Sequence, residues 1–197
     1  MPPPWLATTA LPIDVVPAGT TLFRVHRLGR GAIFFGPGKG VAPTYRFDSL
    51  TGGFGVLYVG LSLAGAVAET LLRNPRRRMV SYLELTERAS CTLTAARDLR
   101  VVRLYGTGLE IVGCDNAIST GHYDVCGVWA DALWTHPDRS DGIAYQSRRD
   151  SSAICLALFE RSDLRLQAAD SVPLTQQLPM IAALLSAYGK SIIDVPV

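Results

Sequence analysis

The chain has 197 residues, 48% of them hydrophobic, which is typical of one domain with a substantial buried core. Its formal charge is +2, with 17 arginines and two lysines against 17 carboxylates, a balance too mild to indicate nucleic-acid binding. Scattered cysteines without a CxxC pair, the lack of a secretory signal pattern and the lack of a membrane-length apolar run predict a cytoplasmic protein with reduced thiols.

The first third of the chain reads as extended and loop-rich. Residues 1–20 hold five of the twelve prolines and predict an extended arm laid over the domain. TLFRVHRL, residues 21–28, alternates well enough to predict a first strand. Residues 29–55 carry eight glycines around GPGKG and TGGFG, a composition that indicates functional loops with unusual backbone angles.

A strand and a helix follow in close succession. VLYVG, residues 56–60, predicts a strand. Ser62 is placed to cap a helix over 63–73, which Asn74 and the proline after it would end. RRRMVSYLELTE predicts a charged turn and then a strand over 79–86.

The second half alternates strands and helices. The predicted elements are strands over 99–106 and 153–160, a helix over 123–136 and, after a break at Pro179, a helix over 180–188. The apolar run 153–160 and LRLQA, residues 164–168, predict a hairpin. Strands outnumber helices, so we expect an α+β single domain with a mixed or antiparallel β core flanked by helices.

Several familiar sites are excluded by spacing. GPGKG lacks the pattern of a phosphate-binding Walker loop, because Ile33 and Gly40 stand where glycine and Ser or Thr are required. Ser62 lies in an incomplete GxSxG motif, with Ala64 at the second glycine, so a helix cap explains it more simply. The three histidines show no metal-ligand spacing, and we expect no metal site.

Glu69 stands among alanines and leucines in the predicted helix. A helical wheel places it outside the apolar arc, which indicates an exposed carboxylate paired with Arg73 at i+4. Gly65, one turn earlier, favours another interpretation, in which a bare helix surface lets a ligand approach the carboxylate.

Four stretches, LFRVHR, YRFD, LYVGLSLAGAVAETL and DGIAYQSRRDSSAICLALFE, together resemble the RES domain, named for a recurrent arginine, glutamate and serine. The resemblance runs from about residue 20 to 168. It implies a fold similar to ADP-ribosyltransferase toxins and an NAD+-degrading toxin of a bacterial toxin–antitoxin pair. With it we divide the chain into an arm (1–19), the RES domain (20–170) and a helical C-terminal extension packed on the domain (171–197).

Residue by residue, the resemblance implies that Glu69 and Arg24 are catalytic and that Arg46, Tyr58 and Ser147 bind substrate. Glu69 would act beside the ribose, and Arg24 and Arg46 would take the pyrophosphate, which guanidinium groups grip with paired hydrogen bonds. Tyr58 would stack on the nicotinamide. Ser147 would bond the ribose or the carboxamide.

The sequence departs from the family pattern around these residues. Tyr45 precedes Arg46 where glycine is frequent, and Asp48 stands where asparagine is common. Val25 follows Arg24 where some members carry tyrosine. We therefore expect fine contacts with the substrate to differ from those of other members.

The resemblance also implies the partners. NAD+ would be the substrate, with inorganic phosphate as a co-substrate if cleavage is phosphorolytic, no cofactor, and a helical Xre-like antitoxin closing the cleft. Arg148 and Arg149, beside Ser147, are secondary candidates for phosphate. A mono-ADP-ribosyltransferase acting on a protein and a non-catalytic nucleotide-binding module stay open as alternatives, as does a homo-oligomer. Neither nucleic acid nor a membrane is expected as a partner.

Overall fold

The computed structural model of the chain describes residues 1–38 and 40–194, without the side chains of Ser119 and Thr120. Lys39 of GPGKG and the last three residues of the predicted extension lie outside this description. The strands are β1 (Ile13–Val16), β2 (Leu22–Arg27), β3 (Val56–Gly60), β4 (Met79–Ser81), β5 (Arg88–Ala95), β6 (Leu99–Leu104), β7 (Gly142–Gln146), β8 (Ile154–Phe159), β9 (Leu166–Ala168), β10 (Val172–Pro173) and β11 (Ser191–Ile193). The helices are α1 (Leu63–Leu71), α2 (Tyr82–Thr86), α3 (Thr107–Val112), α4 (Ala117–Thr120), α5 (Tyr123–Thr135) and α6 (Leu178–Ala187).

One large mixed sheet organises the molecule. Its strands lie in the order β1-β6-β7-β8-β3-β2-β5-β10, with β9 also pairing with β5, and only the β6–β7 pair is parallel within the described residues. In the described register, β2 and β3 pair at the single position where Phe23 lies opposite Gly60. A smaller parallel sheet joins β11 to β4. The predicted α+β class with a mixed sheet flanked by helices is confirmed.

Apolar side chains cover both faces of the sheet. One cluster joins α5, through Trp129 and Leu133, to the face of β7 and β8 that carries Ile143 and Phe159. A second covers the opposite face, and a third buries α1 against α2 and α6. Burial on both faces explains why β8 reads as one continuous apolar run.

Helix α1 begins where the sequence predicts. The Ser62 hydroxyl accepts the Gly65 N–H at 3.1 Å, so the predicted N-cap is confirmed. Gly60, at the end of β3, lets the helix pack closely, because a Cβ there would lie 2.7 Å from the Ser62 carbonyl oxygen and 2.9 Å from the Ala66 nitrogen. The helix that carries Glu69 is thereby fixed against the centre of the sheet.

The predicted strand over 79–86 is wrong in its second half, where α2 forms instead. A strand would place Leu83 and Leu85 on the same face. The helix separates them, so that Leu85 is fully buried while Leu83 is 56% exposed. Arg88 adds an ion pair at 3.1 Å with Glu84, one helical turn earlier in the chain.

The predicted hairpin between 153–160 and 164–168 is also wrong. Strand β8 is bonded along both edges, by β3 and by β7, so it offers no edge to β9. Strand β9 pairs with β5 instead. Strand β5 itself went unpredicted, although its RASCTLTA sequence alternates polar and apolar residues; most of the apolar positions are small alanine and cysteine residues, so the signal is weak.

The two ends of the chain contribute to the structure. Pro4 begins a 3-10 turn, Pro4–Thr8, and β1 then joins the sheet beside β6 rather than lying over it as an arm. Pro179 lies in the first turn of α6, where its missing N–H costs nothing, so it starts the helix rather than breaking it. The division at residues 19 and 170 stays a prediction. Of the helices described, none has both the length and the apolar character that a membrane span demands.

Candidate functional site

Glu69 and Ser147, 78 residues apart in the chain, meet in a short hydrogen bond. The Ser147 hydroxyl donates to Glu69 Oε1 at 2.6 Å. It also accepts the backbone N–H groups of Arg149 at 3.1 Å and Asp150 at 3.3 Å. A hydroxyl has one proton and two lone pairs, so the two amides direct that proton onto the carboxylate. Ser147 therefore orients one oxygen of Glu69.

Neither local interpretation of Glu69 survives. Among the ion pairs of the described residues none joins it to Arg73, whose guanidinium carbon lies 5.1 Å from the Tyr45 ring centroid instead. The surface at Gly65 is not bare, because a Cβ there would lie 3.2 Å from the Ala153 Cβ and 3.5 Å from the Cys155 sulfur. The missing side chain makes room for β8, not for a ligand.

Arg46 is a buried cation with an unsatisfied donor. The residue is 8% exposed, and its Nη1 nitrogen is buried without a hydrogen-bond partner among the described residues. Its guanidinium carbon lies 5.7 Å from the ring centroid of Tyr123, the first residue of α5. Buried donors are paired in most native structures, so an open one indicates a missing acceptor.

The loop that carries Arg46 is held by the buried Asp48. One carboxylate oxygen accepts the N–H groups of Thr44 at 2.9 Å and Tyr45 at 2.7 Å, and the other accepts the Tyr58 hydroxyl at 3.0 Å. Burial raises the pKa of Asp48, and the N–H donors oppose the rise. Asp48 thus fixes Tyr58 and the Arg46 loop together.

The Tyr58 hydroxyl is fully engaged. It accepts the Phe47 N–H at 2.9 Å while it donates to Asp48. Burial raises its pKa well above the usual value, and the neighbouring Asp48 charge adds to the rise. The edge of the Tyr45 ring lies against Tyr58, with centroids 5.6 Å apart. The Tyr58 hydroxyl is therefore held by protein groups, while the residue as a whole is half-buried.

Arg24 lies apart from this cluster. In the β2–β5 register it stands opposite Cys91, and both its terminal nitrogens donate to the Phe34 carbonyl, at 3.3 and 3.4 Å. Burial lowers the pKa of its guanidinium to about 10, which leaves it charged at neutral pH, and Cys91 and Tyr45 oppose that shift. Within the described structure no hydrogen bond or ion pair joins Arg24 to Glu69.

Three further groups are electrostatic neighbours of Glu69. Burial and the Glu69 charge raise the pKa of Tyr145 well above its usual value, and they raise the pKa of Cys155 to about 12. Burial and Arg148 lower the pKa of Arg149, while Glu69 raises it. Tyr145 was missed in the sequence, although it precedes Ser147 by two residues and so shares its side of the chain.

The site thus combines an oriented carboxylate, a buried guanidinium with an open donor and a half-buried tyrosine ring. A carboxylate so placed can stabilise a developing positive charge, and a guanidinium can bind phosphate oxygens. The five residues predicted from the sequence split accordingly. Glu69, Ser147, Arg46 and Tyr58 belong to one connected neighbourhood, and among the described residues Tyr45 links Arg24 to it.

Comparisons with known proteins identify the family of the chain. The chain is 35% identical over 65 residues to "Probable toxin y4kH" of Sinorhizobium fredii (strain NBRC 101917 / NGR234), an alignment that spans 33% of this chain and half the length of that relative. Its fold is similar to that of a chain in the crystal structure of the M. tuberculosis MbcT-MbcA toxin-antitoxin complex, with a TM-score of 0.61 and 19% identity over 83% of this chain and 90% of that one. Residues 21–180 match the family model of the RES domain, and the chain therefore belongs to the RES domain family.

Proposed function

We propose that this protein is a toxin that depletes NAD+ by cleaving its nicotinamide–ribose bond. The observation that carries the proposal is the unpartnered, buried Nη1 of Arg46 in the same cluster as a carboxylate that Ser147 orients. The guanidinium matches an anionic group, and the carboxylate matches a group on which positive charge develops during the reaction. NAD+ has both: its pyrophosphate is anionic, and its ribose becomes oxocarbenium-like as the bond breaks.

In the proposed reaction the bond from the ribose C1′ to the nicotinamide nitrogen breaks, and its electron pair neutralises the pyridinium. Glu69 stabilises the positive charge that develops on the ribose. Water or inorganic phosphate then forms the new bond at C1′, and water also releases a proton. NAD+ is the substrate in this scheme, which requires no bound cofactor.

The remaining residues hold the substrate. Arg46 binds a pyrophosphate oxygen with its unpaired Nη1 donor. Arg24, an electrostatic neighbour of Tyr45, supplies a second positive charge for the pyrophosphate. The Tyr58 ring stacks on nicotinamide, while its hydroxyl stays with Asp48. Ser147 acts on the substrate through Glu69, because its only proton is already donated there.

We also propose that an antitoxin protein neutralises the chain, as one does in the similar complex of known structure. The partner would be of the helical Xre-like type that the resemblance implies. Co-purification with a candidate antitoxin, together with relief of NAD+ consumption, is the expected result. If no candidate antitoxin lowers the NAD+ consumption of the chain, this part of the proposal is wrong.

The activity is tested by incubating the purified protein with NAD+, with and without inorganic phosphate, and separating the products. We expect free nicotinamide in both cases, with ADP-ribose from hydrolysis or ADP-ribose phosphate from phosphorolysis. ADP-ribose attached to protein would favour a transferase instead. If a folded protein released no nicotinamide under either condition, the proposal would be wrong.

A further inference from the structure

The C-terminal segment reaches the candidate site through one hydrogen bond. Tyr188, directly after α6, donates its hydroxyl to Asp150 Oδ2 at 2.6 Å. Asp150 lies in the loop that follows Ser147, and its other oxygen accepts the Ser152 N–H at 3.0 Å and the Ser152 hydroxyl at 2.6 Å. Tyr188 lies beyond the segment, 21–180, that matches the family model.

Asp150 belongs to a closed set of bonds around Ser147. Its N–H donates to the Ser147 hydroxyl oxygen at 3.3 Å, and its carbonyl accepts the Ala153 N–H at 3.0 Å. The Ser147 N–H donates in turn to the Ala153 carbonyl at 2.9 Å. The position of Asp150 therefore decides where the amides that orient the Ser147 hydroxyl lie.

Tyr188 is itself held on two sides. Helix α6 packs on α1, the helix of Glu69, in a cluster that includes Val67, Ile181 and Leu185. Beyond Tyr188 the chain turns at Gly189, with φ of 66°, and β11 then pairs with β4. The contacts thus form a closed circuit that runs from α1 through α6, Asp150 and Ser147 back to Glu69.

The bond between Tyr188 and Asp150 is of the stronger, charge-assisted kind. Hydrogen bonds from Ser152 and from Tyr188 lower the pKa of Asp150, so the carboxylate is ionised at neutral pH. Burial and the Asp150 carboxylate raise the pKa of Tyr188 to about 12, so the hydroxyl keeps its proton.

We propose that Tyr188 is a positioning residue for Glu69, acting through Asp150 and the Ser147 loop. This inference rests on the proposed cleavage of NAD+. Without the Tyr188 hydroxyl, the side chain of Asp150 loses one of its hydrogen bonds and the loop after Ser147 becomes more mobile. The amides of Arg149 and Asp150 then bond the Ser147 oxygen less often, and the Glu69 carboxylate adopts other orientations. The substrate contacts at Arg46 are unaffected, so kcat falls while KM stays unchanged.

The test compares two tyrosines that each donate to an aspartate. Tyr188→Phe removes the hydroxyl at the site, and Tyr105→Phe removes one that donates to Asp14 Oδ2 at 2.7 Å, between the end of β6 and β1. We expect Tyr188→Phe to lower kcat about fivefold without a change in KM, and Tyr105→Phe to leave both unchanged. In a Ser147→Ala background, Tyr188→Phe has no further effect, because the connection is already cut.

A second readout does not depend on the activity. The amide hydrogens of Arg149 and Asp150 are expected to exchange faster with solvent in Tyr188→Phe than in the wild-type chain, and to be unchanged in Tyr105→Phe. Unchanged exchange, or an unchanged kcat in an active enzyme, overturns the positioning role. If exchange is faster in Tyr188→Phe but the wild-type chain releases no nicotinamide, the proposed function alone is wrong. If Tyr188→Phe fails to fold, Asp150→Asn weakens the same bond from the loop side.

Discussion

Arg24 and Arg46 are both largely withdrawn from solvent, yet the groups around them differ. Arg24 lies on β2, and both its terminal nitrogens are satisfied by the Phe34 carbonyl. Arg46 lies in the loop before β3, and one of its nitrogens is buried with no acceptor in the described structure. The hydrogen bonds of Arg24 stabilise the segment that carries Phe34, whereas the unpaired nitrogen of Arg46 can still donate a hydrogen bond to a ligand.

The difference suggests a division of labour between the two regions. The Arg46 region holds the oriented Glu69 and the locked Tyr58, so the reacting centre is expected there. In the Arg24 region the guanidinium holds the Phe34 segment. Substitutions on the two sides should therefore separate effects on activity from effects on stability.

The largest effect is expected from Glu69→Gln. Glutamine keeps an oxygen that can accept the Ser147 hydroxyl but loses the charge that stabilises the ribose cation, so kcat falls about a hundredfold or more. Nicotinamide release is the measurement, and Glu110→Gln, an exposed carboxylate on α3, is the control. Retained full activity in a folded E69Q protein would place the chemistry elsewhere.

Arg46→Ala is expected to lower kcat/KM by about ten- to a hundredfold, the range of a charged hydrogen bond to the substrate. Its melting temperature should fall less than that of a buried arginine bonded to backbone carbonyls, because removing Nη1 leaves no protein acceptor without its donor.

Arg161 is the matched control for Arg46. It donates to the carbonyls of Ser140 at 3.1 Å and Trp134 at 2.7 Å, just beyond the far end of β8. Arg161→Ala should therefore lose stability and keep activity. If Arg46→Ala behaved in the same way, Arg46 would be a structural residue.

Arg24→Ala is expected to remove most NAD+ consumption, about tenfold in kcat/KM, with the fold retained. Because the Phe34 carbonyl loses both its Arg24 donors, the melting temperature should also fall, and by more than that of Arg46→Ala. Comparing nicotinamide release and thermal melting for the two variants checks the division directly. Full activity in Arg24→Ala would withdraw its catalytic assignment.

The smallest effect is expected in the pH dependence of stability of Asp48→Asn, measured as unfolding free energy in urea at several pH values. Burial raises the pKa of Asp48 in the folded state, so the folded chain binds the proton more tightly than the unfolded one. Its contribution to stability therefore falls as pH rises above about 4, the usual pKa of aspartate. Asparagine has no such titration, so the stability of the variant relative to wild type should increase over that range. A difference that is constant with pH would contradict the raised pKa.

Local sequence signals predicted the element on which Glu69 lies. Ser62 and the VLYVG run define where β3 ends and α1 begins, because capping and alternation act over a few residues. The pairing of Glu69 with Ser147 could not be derived in this way. It depends on where β7 and the loop after it lie relative to α1, which only the order of strands in the sheet determines.

The failures of prediction have the same origin. The hairpin prediction failed because both edges of β8 were already occupied, a fact about strands distant in sequence. The expected ion pair of Glu69 with Arg73 does not form, because Glu69 accepts the Ser147 hydroxyl and Arg73 lies over the Tyr45 ring. The open donor of Arg46 has no sequence signal, since it is defined by what surrounds the residue in space.

The single pairing of Phe23 with Gly60 has a consequence for how firmly the two halves of the sheet are joined. Elsewhere along the central strands, separation would break a ladder of several backbone bonds, but here the described register offers only this one pair, supported by side chains such as Leu22 and Leu57. Apolar packing has no fixed direction and tolerates sliding that a hydrogen-bond ladder does not. Among the neighbouring pairs at the centre of the sheet, the β2–β3 pair therefore has the fewest described backbone pairings that a separation of the strands would break.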